Sequence, residues 1–569
     1  MARAGGRRAP SRDDAARGRG RGSAADVVVD DDDARESMEV GLLGRYDDRG
    51  SARSDALDDD DDASPYPPPP SRAPRSALFT ASLSLTMTAV GSTMLSLPAA
   101  FAQCGWALGL AVLLLFATLV DVSVLFLVGA ARSARADSYE ETCARLLGPN
   151  GEKLCRGALC VLIYGSLVSS QIIVADLASP SISAWIAGFG DAKIASSLEW
   201  LGDRRCIAAA TLAAVYPLVL ARSLSSLRSA TSAAFLVIVA VVVAVAVAFA
   251  TSDDAVDASV VASTVATRPG AIALALPVMA LGFTCHFNVV DIDKEFSAAA
   301  AGGAGGGGGG GAARTNRDVH AVVHVSLLLV AFPIYALFAC AGYFQYGASV
   351  SDDFLTEWAA AGARATTVAQ VAVAGVNVLK YPLFAFGLRR NVEAAVDAAY
   401  GGWRATWRRR RAKGRARRRA NVEDDETGSM LPDDEEEEEE EEEDAAAAAP
   451  AWAHHVALFL THLSAAVVAI VCRELEVALD VVGATCGTLV TFILPGVLFL
   501  RAFDPAMRFP GGPGGDGLAW AAREAKDDDA SGVVRARASA AATAAAYVLV
   551  GVGVAASVCG VVAVVYELA

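Results

Sequence analysis

Hydrophobic positions in this chain run in long unbroken stretches instead of alternating with polar ones. "AAFLVIVAVVVAVAVAFA" at residues 233–250 is the plainest case, with no polar face at all. A helix that is apolar all round has to be buried or to face lipid. About twenty such residues, at 1.5 Å each, cross the roughly 30 Å of a bilayer's hydrocarbon. Eleven stretches fit: 77–103, 105–130, 156–178, 205–221, 229–250, 270–292, 319–346, 366–388, 452–472, 477–500 and 540–566. The third is the hardest to close, because "SPSISAWIAGF" continues apolar past Pro180. The pattern predicts an all-α polytopic membrane protein with eleven transmembrane helices.

Two of these stretches interrupt themselves. The first reads "TMTAVGSTMLSLP", with Gly91, Ser92, Thr93 and Pro98, and the sixth reads "LPVMALGFTCHFN", with Pro277, Gly282 and a polar cluster. Glycine and proline loosen the intrahelical ladder, and the freed backbone groups need partners in the protein or in a wet cavity. One kinked span is ordinary helix packing. Two, at the first position of two successive five-helix halves, predict a five-plus-five inverted repeat with broken helices 1 and 6. Helix N-termini at such breaks suit a carboxylate, and unwound carbonyls suit an amine or a cation.

Charge changes the picture mainly by where it sits. The chain has 569 residues, 54% hydrophobic and 20% charged, with a net charge of −16. The charges gather in blocks at Asp30–Asp33, Asp58–Asp62, Arg408–Arg411 and Asp433–Asp444. These blocks mark a disordered N-terminal tail, 1–76, and a low-complexity insertion at 403–450; an Ala/Gly tract at 298–313 is a second insertion. All interrupt or flank a transmembrane domain over 77–566. The acidic balance therefore argues for no nucleic-acid partner. The basic block after Arg404 suits either anionic headgroups or the acidic tract of its own loop.

Lysine and arginine also orient the chain. Arg132, Arg135, Arg145, Lys153 and Arg156, then Arg222, Arg228, Lys294, Arg314 and Arg317, then Arg389–Arg419 and Arg501–Arg537, fall on one side. Lys193, Arg204, Arg205, Arg268, Arg364 and Arg473 are all that fall on the other. The N-terminus is expected in the cytoplasm and the C-terminus in a lumen or outside the cell. Ten cysteines without CxxC or CxxH spacing argue against a metal site. The signatures HExxH and GxSxG are missing, and no filter-like loop repeats, so neither an enzyme nor a channel is expected.

The segments "SLSLTMTAVGSTMLSLPAAFAQCGWALGL", "SYEETCARLLG", "LPVMALGFTCHFNVVDIDKEF", "VVHVSLLLVAFPIYALFACAGYFQYG", "YPLFAFGLRRNVE" and "VVGATCGTLVTFILPGVLFL" stand in this order. In them the chain resembles the amino acid/auxin permease family, especially its neutral amino acid transporters of the sodium-coupled animal type and their plant vacuolar relatives. The likeness covers 77–566 apart from the insertions. It implies a leucine-transporter type of inverted repeat, secondary transport of amino acids by alternating access, and a vacuolar, lysosomal or plasma membrane. No cofactor is implied beyond a coupling ion, and the partners are an amino acid and the lipid bilayer, with a monomer as the default. A sensor that binds an amino acid in the same pocket and signals through its cytoplasmic tails is the alternative.

Carried over residue by residue, the resemblance places the substrate against Val90, Gly91, Ser92 and Thr93 and against Leu281, Gly282, Phe283 and Thr284. The family usually keeps a glycine where this chain has Thr93, so the pocket is narrowed or uses the Thr93 hydroxyl. Sodium-dependent members carry an asparagine and a threonine where this chain has Met87 and Lys380. A thioether and an ammonium are not hard oxygen donors, so the usual sodium site is expected to be absent and proton coupling is favoured. Lys380 lies deep in the eighth span, where an ammonium is costly unless paired, hydrated or neutral. It either stands in for sodium, with or without giving up its proton, or snorkels to the headgroups. Asp121 is a candidate counter-ion. His286 has the intrinsic pKa of a proton carrier and equally suits a hydrogen-bonded structural role. Asp176 and Asp480 are further intramembrane acids, each placed to cap a helix or face water.

Overall fold

The computed structural model describes residues 75–189, 191–220, 228–251, 258–265, 269–302, 316–350, 354–355, 358, 364–422, 449–472, 481–503 and 539–568. Among them all regular structure is helical. The first span is α1 (Arg75–Ala89), a 3₁₀ turn (Ser92–Ser96) and α2 (Leu97–Cys104), followed by α3 (Trp106–Ser133) and α4 (Tyr139–Ala187). Then come α5 (Ala192–Leu198), α6 (Arg204–Val219), α7 (Arg228–Ala250) and α8 (Ala258–Ala262). The sixth span is α9 (Pro269–Gly282) plus α10 (His286–Gly302), and the seventh is α11 (Asn316–His324), a π-helical stretch (Val325–Ala331) and α12 (Phe332–Tyr346). Last are α13 (Arg364–Val422), α14 (Ala451–Val471), two π-helical stretches (Gly483–Gly487, Leu489–Ile493) running into α15 (Leu494–Phe503), and α16 (Ala540–Leu568).

Nine helices among the described residues are long and apolar enough to cross a membrane, ten when α1 and the segment Thr93–Cys104, bent by 55°, are taken as one span. The expected fourth span, 205–221, is α6, whose 16 residues measure about 24 Å at 1.5 Å each. An eleventh crossing therefore rests on a helix shorter than the hydrocarbon is thick.

Three boundaries differ from the sequence reading. The third span is not confined to 156–178. Its helix starts with Ser138, whose side chain accepts from the Glu141 amide at 3.1 Å, and the Glu141 carboxylate in turn accepts from the Asp137 amide at 2.7 Å, a local N-cap. It kinks at Gly148, where φ is 78°, restarts with Pro149 in a first-turn position, and runs through Pro180 to Ala187. α13 continues past 388 through the basic block to Val422, because alanine, arginine and lysine are strong helix formers. α10 likewise extends to Gly302, into the alanine tract expected as insertion. The tail 1–74 and the remainder of the insertions, 303–315 and 423–448, lie outside the described residues.

The broken spans occupy the middle of the bundle. The window Ala275–Ala298 is 89% buried, against 28% for Thr231–Ala250 and 22% for Ala540–Val562, whose remaining surface is what a lipid-facing helix presents. Close approach brings the tenth span against the sixth: a side chain on Gly483 would meet the Pro277 carbonyl oxygen at 3.0 Å and Leu281 Cβ at 3.4 Å.

The π-helical stretches matter because wide winding displaces backbone carbonyls from the regular ladder and turns them toward neighbours. Thr86 donates to Ser326 O at 3.4 Å, Tyr139 Oη donates to Val490 O at 2.8 Å, and Ser123 Oγ donates to Thr491 O.

At the end of the bundle rich in arginine, ion pairs fasten α10 to its surroundings. Arg132 reaches both carboxylate oxygens of Asp293, at 3.0 and 2.6 Å. Arg390 of α13 bridges Asp291, at 3.0 Å, and the fully buried Glu140, at 2.9 Å. Asn391 donates to Glu140 at 2.8 Å.

Candidate functional site

α1 ends at Ala89, and the chain is non-helical at Val90 and Gly91 before the 3₁₀ turn begins. α9 ends at Gly282, and Phe283, Thr284 and Cys285 separate it from α10. Pro277 is carried inside α9, so the sixth span breaks at its glycine and not at its proline. The two breaks lie side by side: a side chain on Gly282 would meet Thr93 Oγ1 and Tyr335 Cε2, each at 3.5 Å.

Tyr335 of α12 ties the breaks together. Its hydroxyl accepts from the Gly91 amide at 3.1 Å and lies 2.9 Å from Ala89 O and 2.7 Å from Gly282 O, either of which can take its single proton. Its ring stands edge-on to Phe283, centroids 5.1 Å apart. One buried phenol thus lies within hydrogen-bond reach of backbone groups from both interruptions.

Of the predicted substrate contacts, Val90, Gly91, Thr93, Gly282 and Phe283 gather here. Leu281 is turned toward the tenth span, 3.4 Å from where a Gly483 side chain would begin. Thr284 shares a hydrogen bond with Thr491, Oγ1 to Oγ1 at 2.9 Å, so it joins the sixth span to the tenth. Ser92 contributes backbone to the 3₁₀ turn.

Lys380 reaches the same place from α13. Its ammonium donates to the Val90 carbonyl, and it lies 5.5 Å from the centre of the Phe384 ring, within range of a cation–π contact. The side chain is buried and does not snorkel. Met87, also fully buried, sits in the last turn of α1. Asp121 does not serve Lys380: its carboxylate pairs with His324 Nδ1 at 2.8 Å, because it faces span 7 from α3.

His286 opens α10. Its Nε2 is 3.0 Å from Ser123 Oγ, and since that hydroxyl gives its proton to Thr491 O, Nε2 is the donor. Asp176 pairs with Arg204 at the start of α6. Asp480 lies outside the described residues.

The sequence reading missed Tyr335, Ser123, Thr491 and His324. A signal existed for Tyr335, because a tyrosine well inside an apolar span must find a partner for its hydroxyl. Tyr335→Phe keeps the ring and removes the tie, leaving buried backbone groups unmet at about 1–3 kcal/mol each, less what an entering water restores. The melting temperature of this variant in detergent is expected to fall by about 2 °C or more; a melting temperature equal to wild type would show that the tie is dispensable.

The sequence that builds this geometry has relatives among known proteins. A sequence profile described as transmembrane amino acid transporter protein matches residues 74–302 and 312–508. The chain belongs to this family. Amino acid transporter AVT6E of Arabidopsis thaliana is 26% identical over 338 residues, 57% of this chain and 64% of that protein. Amino acid transporter AVT6A of the same plant is 24% identical over 321 residues, 54% of this chain and 65% of that protein. These matches span less than two thirds of the plant relatives' own length. Vacuolar amino acid transporter 5 of Schizosaccharomyces pombe is 23% identical over 436 residues, 75% of this chain and 84% of that protein. The interruption of the family match, at 303–311, falls in the glycine tract.

Proposed function

We propose that this protein is a secondary active transporter of neutral or small amino acids, working by alternating access around the paired breaks of spans 1 and 6. The observation that carries the reading is the meeting of Gly91 and Gly282 at one tyrosine hydroxyl, which puts unwound backbone from both spans at one buried point. Amide groups there suit a substrate carboxylate, and carbonyls suit its ammonium. The names of the plant and yeast relatives point to the same cargo.

The finer reading follows from the same site. α6 completes eleven crossings in a five-plus-five inverted repeat, with the N-terminus in the cytoplasm, the C-terminus in the lumen, and the vacuolar membrane as its place. Lys380 takes the role that sodium plays in sodium-coupled relatives, since its ammonium already occupies the Val90 carbonyl. Transport is then sodium-independent and coupled to protons.

Radiolabelled alanine and glutamine uptake into proteoliposomes, with an imposed pH or sodium gradient, tests this. Accumulation that follows the pH gradient and ignores sodium is expected. Accumulation driven by sodium would overturn the coupling, and saturable binding without uptake or exchange of either amino acid would favour the sensor.

A further inference from the structure

We propose that the Asp121–His324 pair is the site at which the coupling proton is taken up and released, a reading that rests on the transport function above. Lys380 is poorly placed for that task. It is 5% exposed and its ammonium is committed to the Val90 carbonyl, so a proton leaving it has no open route. His286 is fully buried, with Nε2 committed to Ser123.

Asp121 and His324 combine depth with access. The Asp121 side chain is 4% exposed and that of His324 is 37% exposed, at 2.8 Å. A carboxylate so deep in a span is costly without a partner that neutralises it. With one proton between them the two groups form a neutral pair; without it a net negative charge is left inside the bundle. The half-exposed imidazole offers the way in, and the carboxylate holds the proton where the spans pack.

The pair also sits where span 7 changes winding. The π-helical stretch begins at the residue after His324, and such stretches are frequent at functional sites. Within it, the Ser326 carbonyl accepts from Thr86 Oγ1 at 3.4 Å, and the Ser326 hydroxyl lies 2.6 Å from Val322 O and 3.1 Å from Ser82 O, either of which can take its single proton. Ser82 and Thr86 lie on α1, whose end is the first break. In this proposal a change of charge at His324 reaches α1, the helix that leads into Val90.

The other titratable groups nearby leave the pair as the addressable one. Span 7 adds Asp318 in the first turn of α11, His320, its ring centroid 5.7 Å from that of His324, Tyr335, which meets the breaks, and Cys340, Tyr343 and Tyr346 toward its other end. Span 6 adds Cys285, within electrostatic reach of Asp121, His286 and Glu295, while its Asp291, Asp293 and Lys294 are engaged by Arg390, Arg132 and Asp137. α1 carries no titratable side chain beyond Arg75, α2 carries Cys104, and the tenth span carries Cys486 and Arg501. α4 brings Tyr139 and Glu140, bonded to Val490 O and to Arg390, and α16 brings Tyr547 and Cys559 near its two ends.

The test uses the full chain in proteoliposomes, comparing wild type, Asp121→Asn and His324→Gln in two assays with alanine: accumulation driven by a pH gradient, and exchange of labelled for unlabelled alanine at equal pH. Both variants are expected to lose driven accumulation by about tenfold or more, an ordinary coupling energy, while exchange continues. Accumulation like wild type in both variants would overturn the proposal. So would loss of exchange along with accumulation in His324→Gln, the variant at the half-exposed position, with its melting temperature unchanged. If Asp121→Asn fails to fold, His324→Gln alone decides. Wild type that exchanges neither alanine nor glutamine would instead sink the transport reading itself.

Discussion

In the proposed uptake assay Lys380→Met is expected to lower uptake about a hundredfold, the upper end of the scale set by losing one charge-assisted hydrogen bond of roughly 1.5–3 kcal/mol at a buried site. Methionine is of similar length and apolar, so the contact with Phe384 one turn along α13 is kept and the variant is expected to insert and purify. What disappears is the donor that reaches the Val90 carbonyl. That carbonyl belongs to a residue outside α1, and within a bilayer no lipid group can replace the lost partner. The break then closes toward regular helix or collapses onto its neighbours, and either movement shifts Gly91 relative to Tyr335.

Lys380→Thr refines the result. It swaps the ammonium for an oxygen and a space, the combination that a hard cation requires. Uptake that becomes sodium-dependent would show that the lysine is the resident substitute for the ion. Continued inactivity in sodium would show that the Val90 carbonyl alone cannot complete a cation site. Uptake at the wild-type level in Lys380→Met would remove the ammonium from the mechanism.

The second large effect lies at the arginine-rich end. Arg390→Ala is expected to destabilise the protein by about 3 kcal/mol or more, because it strands two carboxylates that it now bridges. Glu140, with no exposure, keeps Asn391 as its side-chain partner among the described residues, and Asp291 loses the Nη1 that reaches both its oxygens. Arg390→Lys is expected to recover only part of the loss, since an ammonium lacks the planar fork that reaches both acids. Thermal unfolding in detergent measures both. Adding Glu140→Gln and Asp291→Asn to Arg390→Ala removes the stranded charges and is expected to restore most of the stability. If the triple variant melts no higher than Arg390→Ala, the penalty comes from lost packing of the arginine stem and not from orphaned charge.

The network also bears on function, because α10 is held there from two sides: Arg390 on α13 takes Asp291, and Arg132 on α3 takes Asp293. Any opening of the bundle at this end has to part these pairs, while the breaks of spans 1 and 6 stay joined by Tyr335 deeper inside.

The helices and the two interruptions were legible along the chain for a simple reason: lipid imposes a length and a composition on each span separately. Each span advertises itself in about twenty residues, and a glycine among polar neighbours marks where its ladder fails. The limits of the reading had equally local causes. Alanine and arginine runs look like insertion by complexity and like helix by propensity, and in α13 propensity prevailed. The sixth stretch offers both Pro277 and Gly282 as interruptions, and α9 carries the proline through and stops five residues later at the glycine.

The sequence by itself determined the class, the approximate spans and the fact that spans 1 and 6 are broken. Only the tertiary structure decided what occupies the breaks. Gly91 and Tyr335 are 244 residues apart, Val90 and Lys380 290 apart, and Asp121 and His324 203 apart. Asp121 was paired with Lys380 on grounds of depth alone, and depth says nothing about azimuth: α3 turns its carboxylate to span 7, so the acid meets a histidine. A periodic pattern reports which residues leave water, whereas the partner of a buried polar group depends on how helices rotate and cross, which packing across the whole bundle sets.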